Sequence, residues 1–307
     1  MITSIFSKSK PINFIIVFII TLLAFFLANF KAIEEPITLK SALYFALLFF
    51  VSYCSILVLN FIVDKNKLTQ NNNYEILLYA MFLVTIPLSL SNNNIIFSNF
   101  FVLLGLRRLI SIRTQNSVNK KLFDTAFWFA IAALFYFWSI LFFVLIIIKL
   151  LMYTDNKFKH WIIPFVGLFT VFVLSTTISI IFFNNFFDVF KSLPSISFDF
   201  SSLNSVSFII ALTVLLSFGA WSSLFYLREI KDKKKAFRPS FKTIFFAVIL
   251  AFAIVILAPN KNGSEFLFLF SPLAIIITNY VEMMEENWFK EVFLAVLILL
   301  PFALLLL

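Results

Sequence analysis

The stretch LFDTAFWFAIAALFYFWSILFFVLIIIKLLMY, Leu122–Tyr153, decides how this chain is laid out. A bilayer core about 30 Å thick takes about 20 helical residues to cross, with 17 to 25 usual. The stretch is 32 residues long, too many for one untilted span and few for two. Charge arbitrates, because Lys and Arg gather on the cytoplasmic side of membrane proteins. If the stretch is a hairpin of two short helices, the loops around it place 20 of the 24 Lys and Arg inside and leave Lys31, Lys40, Lys191 and Lys261 outside. If it crosses once, everything downstream inverts and the split becomes 11 to 13. If the two runs before Arg107 also merge into one crossing, the split is 15 to 9. The hairpin is therefore expected, with a break near Phe137-Trp138, where aromatic rings favour the interface.

Working outward, the other apolar runs are Ile12–Phe30, Ser41–Val63, Tyr74–Leu90, a short Asn94–Leu106 that ends at Arg107-Arg108, Trp161–Phe183, Val206–Leu227, Phe241–Ala258, Glu265–Val281 and Val292–Leu307. The expected fold is all-α and polytopic, with ten to eleven spans and 1–307 as a single integral membrane domain. The N-terminus is expected in the cytoplasm and the C-terminus outside, in a bacterial inner membrane. The basic start Lys8-Ser-Lys10 leads into a 19-residue run with no Ala-x-Ala site after it, the pattern of an uncleaved first span.

Composition agrees and excludes whole classes. Apolar residues make up 62% of the chain, Phe alone occurs 46 times, and mean hydropathy is +1.03. A soluble domain of this length could not hide so much apolar surface. One Cys (Cys54) and one His (His160) exclude internal disulfides, thiolate metal cages and multi-histidine iron sites, so no metal and no cofactor is expected. Four Gly cannot build a phosphate loop. The net charge of +9 sits in short loops beside spans, which fits membrane lipids as partners and not nucleic acid.

Carboxylates are the candidates for chemistry on the sparsely charged outer side. Glu34-Glu35-Pro36 follows the first span and is flanked by Lys31 and Lys40. Such a pair could act as a general base or hold a cation, or be a solvated loop. The long outer loop Asn184–Ser205 carries Asp188 and Asp199, with Phe186, Phe187 and Phe190 at helical spacing, and alternates apolar and polar residues over 194–201. Glu265 opens a span beside Gly263-Ser264, where a helix N-terminus suits a carboxylate. No ionisable residue is expected at mid-membrane, which counts against an ion-coupled transporter. Lys149 is expected to snorkel.

Two stretches resemble C-type membrane glycosyltransferases. Leu103–Trp138 is similar to their basic loop followed by two short hydrophobic helices. Ser264-Glu-Phe-Leu-Phe-Leu-Phe-Ser-Pro-Leu-Ala274 looks like their aromatic, Pro-Leu-ending late span. The resemblance implies a catalytic acid in the first outer loop, where only Glu34 and Glu35 match, and a polyprenyl-phosphate-linked sugar as donor. The first outer loop here is too short for the amphipathic helices those enzymes carry, and there is no soluble outer domain. The whole chain more closely resembles an uncharacterised bacterial family of multi-pass membrane proteins, which implies no activity. Three readings follow: a small or degenerate glycosyltransferase relative in envelope glycan or glycolipid assembly, a non-enzymatic scaffold or assembly component of a larger envelope complex with a membrane-protein partner, or a lipid flippase or transporter. An outer cavity with Glu34 or Glu35 and two cations would mark the first. A packed interior and a flat apolar lateral face would mark the second, and a central cavity open to one side the third.

Overall fold

Backbone in hydrocarbon must satisfy its own hydrogen bonds, so apolar runs of this length become helices. The computed structural model describes residues 2–33, 38–153, 157–186, 195–259 and 261–305. They form twelve α-helices linked by 3₁₀ turns. These are α1 (Ile2–Phe6), α2 (Pro11–Ile33), α3 (Leu39–Asn66), α4 (Tyr74–Thr85), α5 (Asn93–Ser111), α6 (Val118–Phe135), α7 (Val144–Leu151), α8 (Phe158–Phe183), α9 (Val206–Glu229), α10 (Arg238–Leu257), α11 (Leu267–Met283) and α12 (Asn287–Leu305). The fold is all-α, and among the described residues eight helical stretches are long and apolar enough to cross a membrane.

A helix apolar on every side belongs in a core, and α4 and α11 fill that place. Every residue of α4 is buried, as is every residue of α11 from Leu267 to Val281. The two pack on each other, with α2, α3 and α12 also against α4 and with α9 and α10 also against α11. Burial falls outward: the stretch ending in α11 is 89% buried, whereas α8 and α12 are 22% buried and α9 is 28% buried. The outer helices present Phe169, Phe172, Ile181, Trp221 and Leu299 on their exposed faces, as lipid-facing helices do.

The deciding stretch is broken where the aromatic cluster stands. α6 stops at Phe135, Tyr136 is extended (φ −145°, ψ 106°), and a 3₁₀ run Phe137–Phe143 leads into α7. The two arms fold back on each other. Phe129 meets Phe142 across the break at 6.1 Å, and Phe268 of α11 packs on Tyr136 at 5.8 Å and on Phe142 at 5.9 Å. A helix continuous through Phe137 could not make the Phe129–Phe142 contact. Close approach also ties α6 to its neighbours: a Cβ on Gly167 of α8 would lie 2.9 Å from the Phe123 carbonyl.

One run differs from the expected pattern. Arg107-Arg108 does not end the fourth run; the helix continues to Ser111 and a 3₁₀ turn to Thr114. Tertiary partners absorb both charges. Arg107 lies over the Phe61 ring at 4.4 Å, and Arg108 Nε is 3.0 Å from Asp124 Oδ2. The third run is shorter than expected as a helix, because Pro87 has no N–H to continue it and a 3₁₀ turn Pro87–Leu90 takes over.

The loops sort to two ends as the hairpin requires. Arg113 and Gln115 after α5, Lys149 and Tyr153 at the end of α7, and Lys235 and Pro239 before α10 line one cavity. A single crossing would have put Lys149 and Lys235 at the end opposite Arg113. Asn73 N–H donates to the Phe6 carbonyl at 2.9 Å, and Gln70 N–H donates to Glu282 Oε1 at 2.8 Å. These bonds bring the N-terminus, the loop before α4 and the end of α11 to the same cation-rich end. At the other end, Gly263 sits beside Leu88 and Phe208.

Candidate functional site

The cation-rich end holds the most unusual electrostatics. Its cavity, about 230 Å³, is lined by Arg113, Gln115, Lys149, Met152, Tyr153, Lys235, Ala236 and Pro239. Three of these are cations from three separate segments, and among the described residues none of the lining is acidic. Arg113 leaves α5 in the 3₁₀ turn Ile112–Thr114, and its guanidinium lies over the Phe237 ring at 4.0 Å. That stacking fixes the plane of the fork and leaves its edge free; Nε is buried without an acceptor. Lys149 belongs to the last turn of α7, where a cation suits the helix C-terminus. It does not snorkel: only 2% of it is exposed, and Nζ has no hydrogen-bond partner. Lys235 stands exposed at the rim. Such a pocket can hold an anion, since charge-assisted bonds from three directions would satisfy groups the protein leaves open.

Beside it runs a polar network made by the Gln70–Asn73 tract. Asn13 Nδ2 donates to Asn73 Oδ1 (3.2 Å), Asn73 Nδ2 to Asn60 Oδ1 (2.9 Å) and Asn60 Nδ2 to Asp64 Oδ2 (2.9 Å). Asn72 Nδ2 donates to Glu282 Oε1 at 2.5 Å. The tract is therefore the knot that ties α2, α3, α4 and α11 together. Glu75, in the first turn of α4, is fully buried and neither carboxyl oxygen has a hydrogen-bond partner. Sequence reasoning missed it. The available signal was an acidic residue at the second position of an otherwise apolar helix, Tyr74-Glu-Ile-Leu-Leu78.

The residues expected to carry chemistry are only partly among the described residues. Glu34 and Glu35 lie outside the described residues, as do Asp188 and Lys191. Lys31 is within α2. Lys40 is exposed in the first turn of α3, behind the Thr38–Ser41 capping box. Asp199 is exposed, and its Oδ1 accepts the Ser201 N–H at 2.9 Å. That bond, with Lys261 nearby, holds its carboxyl below the ordinary range. Glu265 is 3% exposed and faces the backbone N–H groups of Glu265 and Gly263, the turn-capping role that its place before α11 suggests. Lys261 is consumed by structure. Its ammonium donates to the carbonyls of Ile256 (2.9 Å), Ala258 (2.8 Å) and Ser197, closing the C-terminus of α10 and pinning the loop segment that contains Phe198 and Phe200. Burial pushes its ammonium below the ordinary lysine value. The cavity at this end, about 170 Å³, is lined by Thr85, Leu88, Ser205, Ser207, Phe208 and Pro301 among others, and no lining residue is charged. Among the described residues no cluster of three or more His, Cys, Asp or Glu could hold a metal.

The void at the centre, between Ser52, Ser55, Tyr79, Asn99 and Leu267, has no room for a water molecule. Asn99 Nδ2 donates to the Tyr79 hydroxyl there at 3.0 Å.

A family model described as "Family of unknown function (DUF6427)" matches residues 1–306. This agrees with the whole-chain resemblance to a family without an assigned activity. No curated protein and no solved structure matches the chain.

Proposed function

The chain belongs to the DUF6427 family, and from that premise we propose that it is a non-enzymatic, multi-pass component of the bacterial inner membrane, a scaffold that assembles with a membrane-protein partner. In this reading the cation-rich end and the N-terminus face the cytoplasm, by the positive-inside rule, and about eleven helical segments cross or enter the bilayer. The observation that carries it is the closed centre. α4 and α11 are buried along their lengths, and the void beside them is too small for water. A flippase needs a passage, which this packed pair does not offer among the described residues.

The glycosyltransferase reading draws little from the outer end. Its acid would have to be Glu34 or Glu35, and its phosphate-binding cations would come from Lys31, Lys40, Lys191 and Lys261. Lys261 is already committed to three carbonyls. The test is complementation of a deletion strain whose envelope lipids and glycans have been compared with its parent. Under the scaffold reading Glu34→Gln/Glu35→Gln restores the parental profile fully at normal protein level. Loss of function in that variant, with membrane insertion intact, would bring the glycosyltransferase reading back.

A further inference from the structure

We propose that the cavity between Arg113, Lys149 and Lys235 binds a phosphate group, either the phosphomonoester headgroup of a membrane lipid or a free phosphate. The inference is independent of the scaffold reading, because it uses only the geometry at this end.

It rests on a contrast among the lysines buried within the described residues, Lys121, Lys149 and Lys261. A buried ammonium is costly unless acceptors replace the lost water. Lys121 Nζ donates to the Ser111 carbonyl at 2.6 Å and Thr114 Oγ1 at 2.7 Å. Lys261 has its three carbonyls. Lys149 Nζ has none, and its side chain lies in the wall of a cavity that Arg113 also lines. The fold thus supplies acceptors wherever a lysine is merely structural. At Lys149 it instead adds a second cation, whose Nε is likewise unpaired, and a third at the rim. Like charges gathered around an empty volume are destabilising until an anion enters.

The shape of the donor set narrows the anion. Three cations from three segments suit a dianion with oxygens in several directions, where a planar carboxylate would use the Arg113 fork alone. By the same measure of volume a water needs only about 10–15 Å³, so about 230 Å³ takes a phosphate group together with water. Gln115, exposed beside Arg113, adds an amide donor at the rim. The cavity lies at the helix ends, where headgroups and solutes both reach.

The experiment uses the full chain purified in an uncharged detergent. Thermal unfolding is followed as inorganic phosphate is added, against sodium chloride at matched ionic strength. Phosphate raises the midpoint of the wild type and chloride does not. Lys149→Met unfolds at or above the wild-type midpoint without phosphate, since it removes an unpaired buried charge, and no longer responds to phosphate. Arg113→Gln is the second variant, and each substitution weakens binding roughly tenfold to a hundredfold. Lys121→Met loses stability but keeps the response. The source is separated in nanodiscs of phosphatidylcholine with and without phosphatidic acid. Phosphatidic acid retained by the wild type in native mass spectrometry, and lost in Lys149→Met, assigns a lipid headgroup. A phosphate response without lipid retention assigns a soluble phosphate. A wild type that neither responds to phosphate nor retains phosphatidic acid overturns the proposal, as does a response unchanged in both variants. Asp155 lies outside the described residues. A phosphate-insensitive wild type whose stability falls on Asp155→Asn would give the ammonium to that carboxylate, and would also overturn it.

Discussion

Gly105→Ala tests the packing that holds the hairpin against α5, and here two effects of known size oppose each other. In a helix interior, replacing Gly by Ala favours the helix by about 0.8–1 kcal/mol. The new Cβ, however, would lie 2.5 Å from Phe129 Cδ1 and 3.2 Å from Cζ, and closer still to Cε1. Carbon atoms rest at about 3.5–4.0 Å, so the ring must retreat by about 1 Å. It has nowhere to go: Phe129 is 0% exposed and already packs on Phe142 across the break. Overpacking of this kind costs about 1–3 kcal/mol, so the net expected loss is about 1 kcal/mol. Phe129→Leu frees the space, so the double variant should be more stable than the sum of the singles by about 1–2 kcal/mol. Equilibrium unfolding in mixed micelles with rising dodecyl sulfate measures all four proteins. A Gly105→Ala chain more stable than wild type, with additive energies in the cycle, would refute the contact and with it this placement of α6.

In a Cys54→Ser background, cysteines at Ser117 and Lys234 should label from one side and a cysteine at Ser195 from the other; opposite labelling of the first two would sink the hairpin. Glu282→Ala strips the acceptor from Asn72 and from the Gln70 N–H, and should cost about 1–3 kcal/mol in the same micelle assay, with faster hydrogen exchange confined to the loop before α4. Asp199 has its carboxyl held low by the Ser201 N–H, so that bond is complete above the ordinary carboxylate range and lost only as pH falls through the lowered value. The exchange protection factor of the Ser201 amide should therefore hold at neutral pH and drop in acid, and Asp199→Asn should abolish the acid step; protection independent of pH in the wild type would contradict this.

The helices were legible because in hydrocarbon the run of apolar residues and the backbone's need for internal bonds say the same thing. The break at Tyr136 was legible too, since the stretch was the wrong length and its charges voted. What could not be read is whatever depends on partners far along the chain. Arg107-Arg108 looks like a helix end until Phe61 and Asp124 are beside it. Lys149 looks like a snorkelling residue until the α9–α10 loop folds over it. Glu75 has a local signal, an acid early in an apolar helix, but its burial on all sides comes from helices far along the chain, and Glu34 and Glu35, the centre of the chemical expectation, lie outside the described residues.

The shortness of α4 bears on how the protein is made. Twelve residues span about 18 Å, well under the about 30 Å of a bilayer core, so this segment cannot settle across the membrane alone. Its packing partner α11 begins at Leu267, far downstream on the chain. At about 5–20 residues per second of synthesis, the ribosome needs roughly 10–40 s to deliver it. During that interval α4 has α2 and α3 beside it but lacks the α11 side of its core. The core around α4 and the Glu75 carboxyl is therefore completed only once α11 has been made.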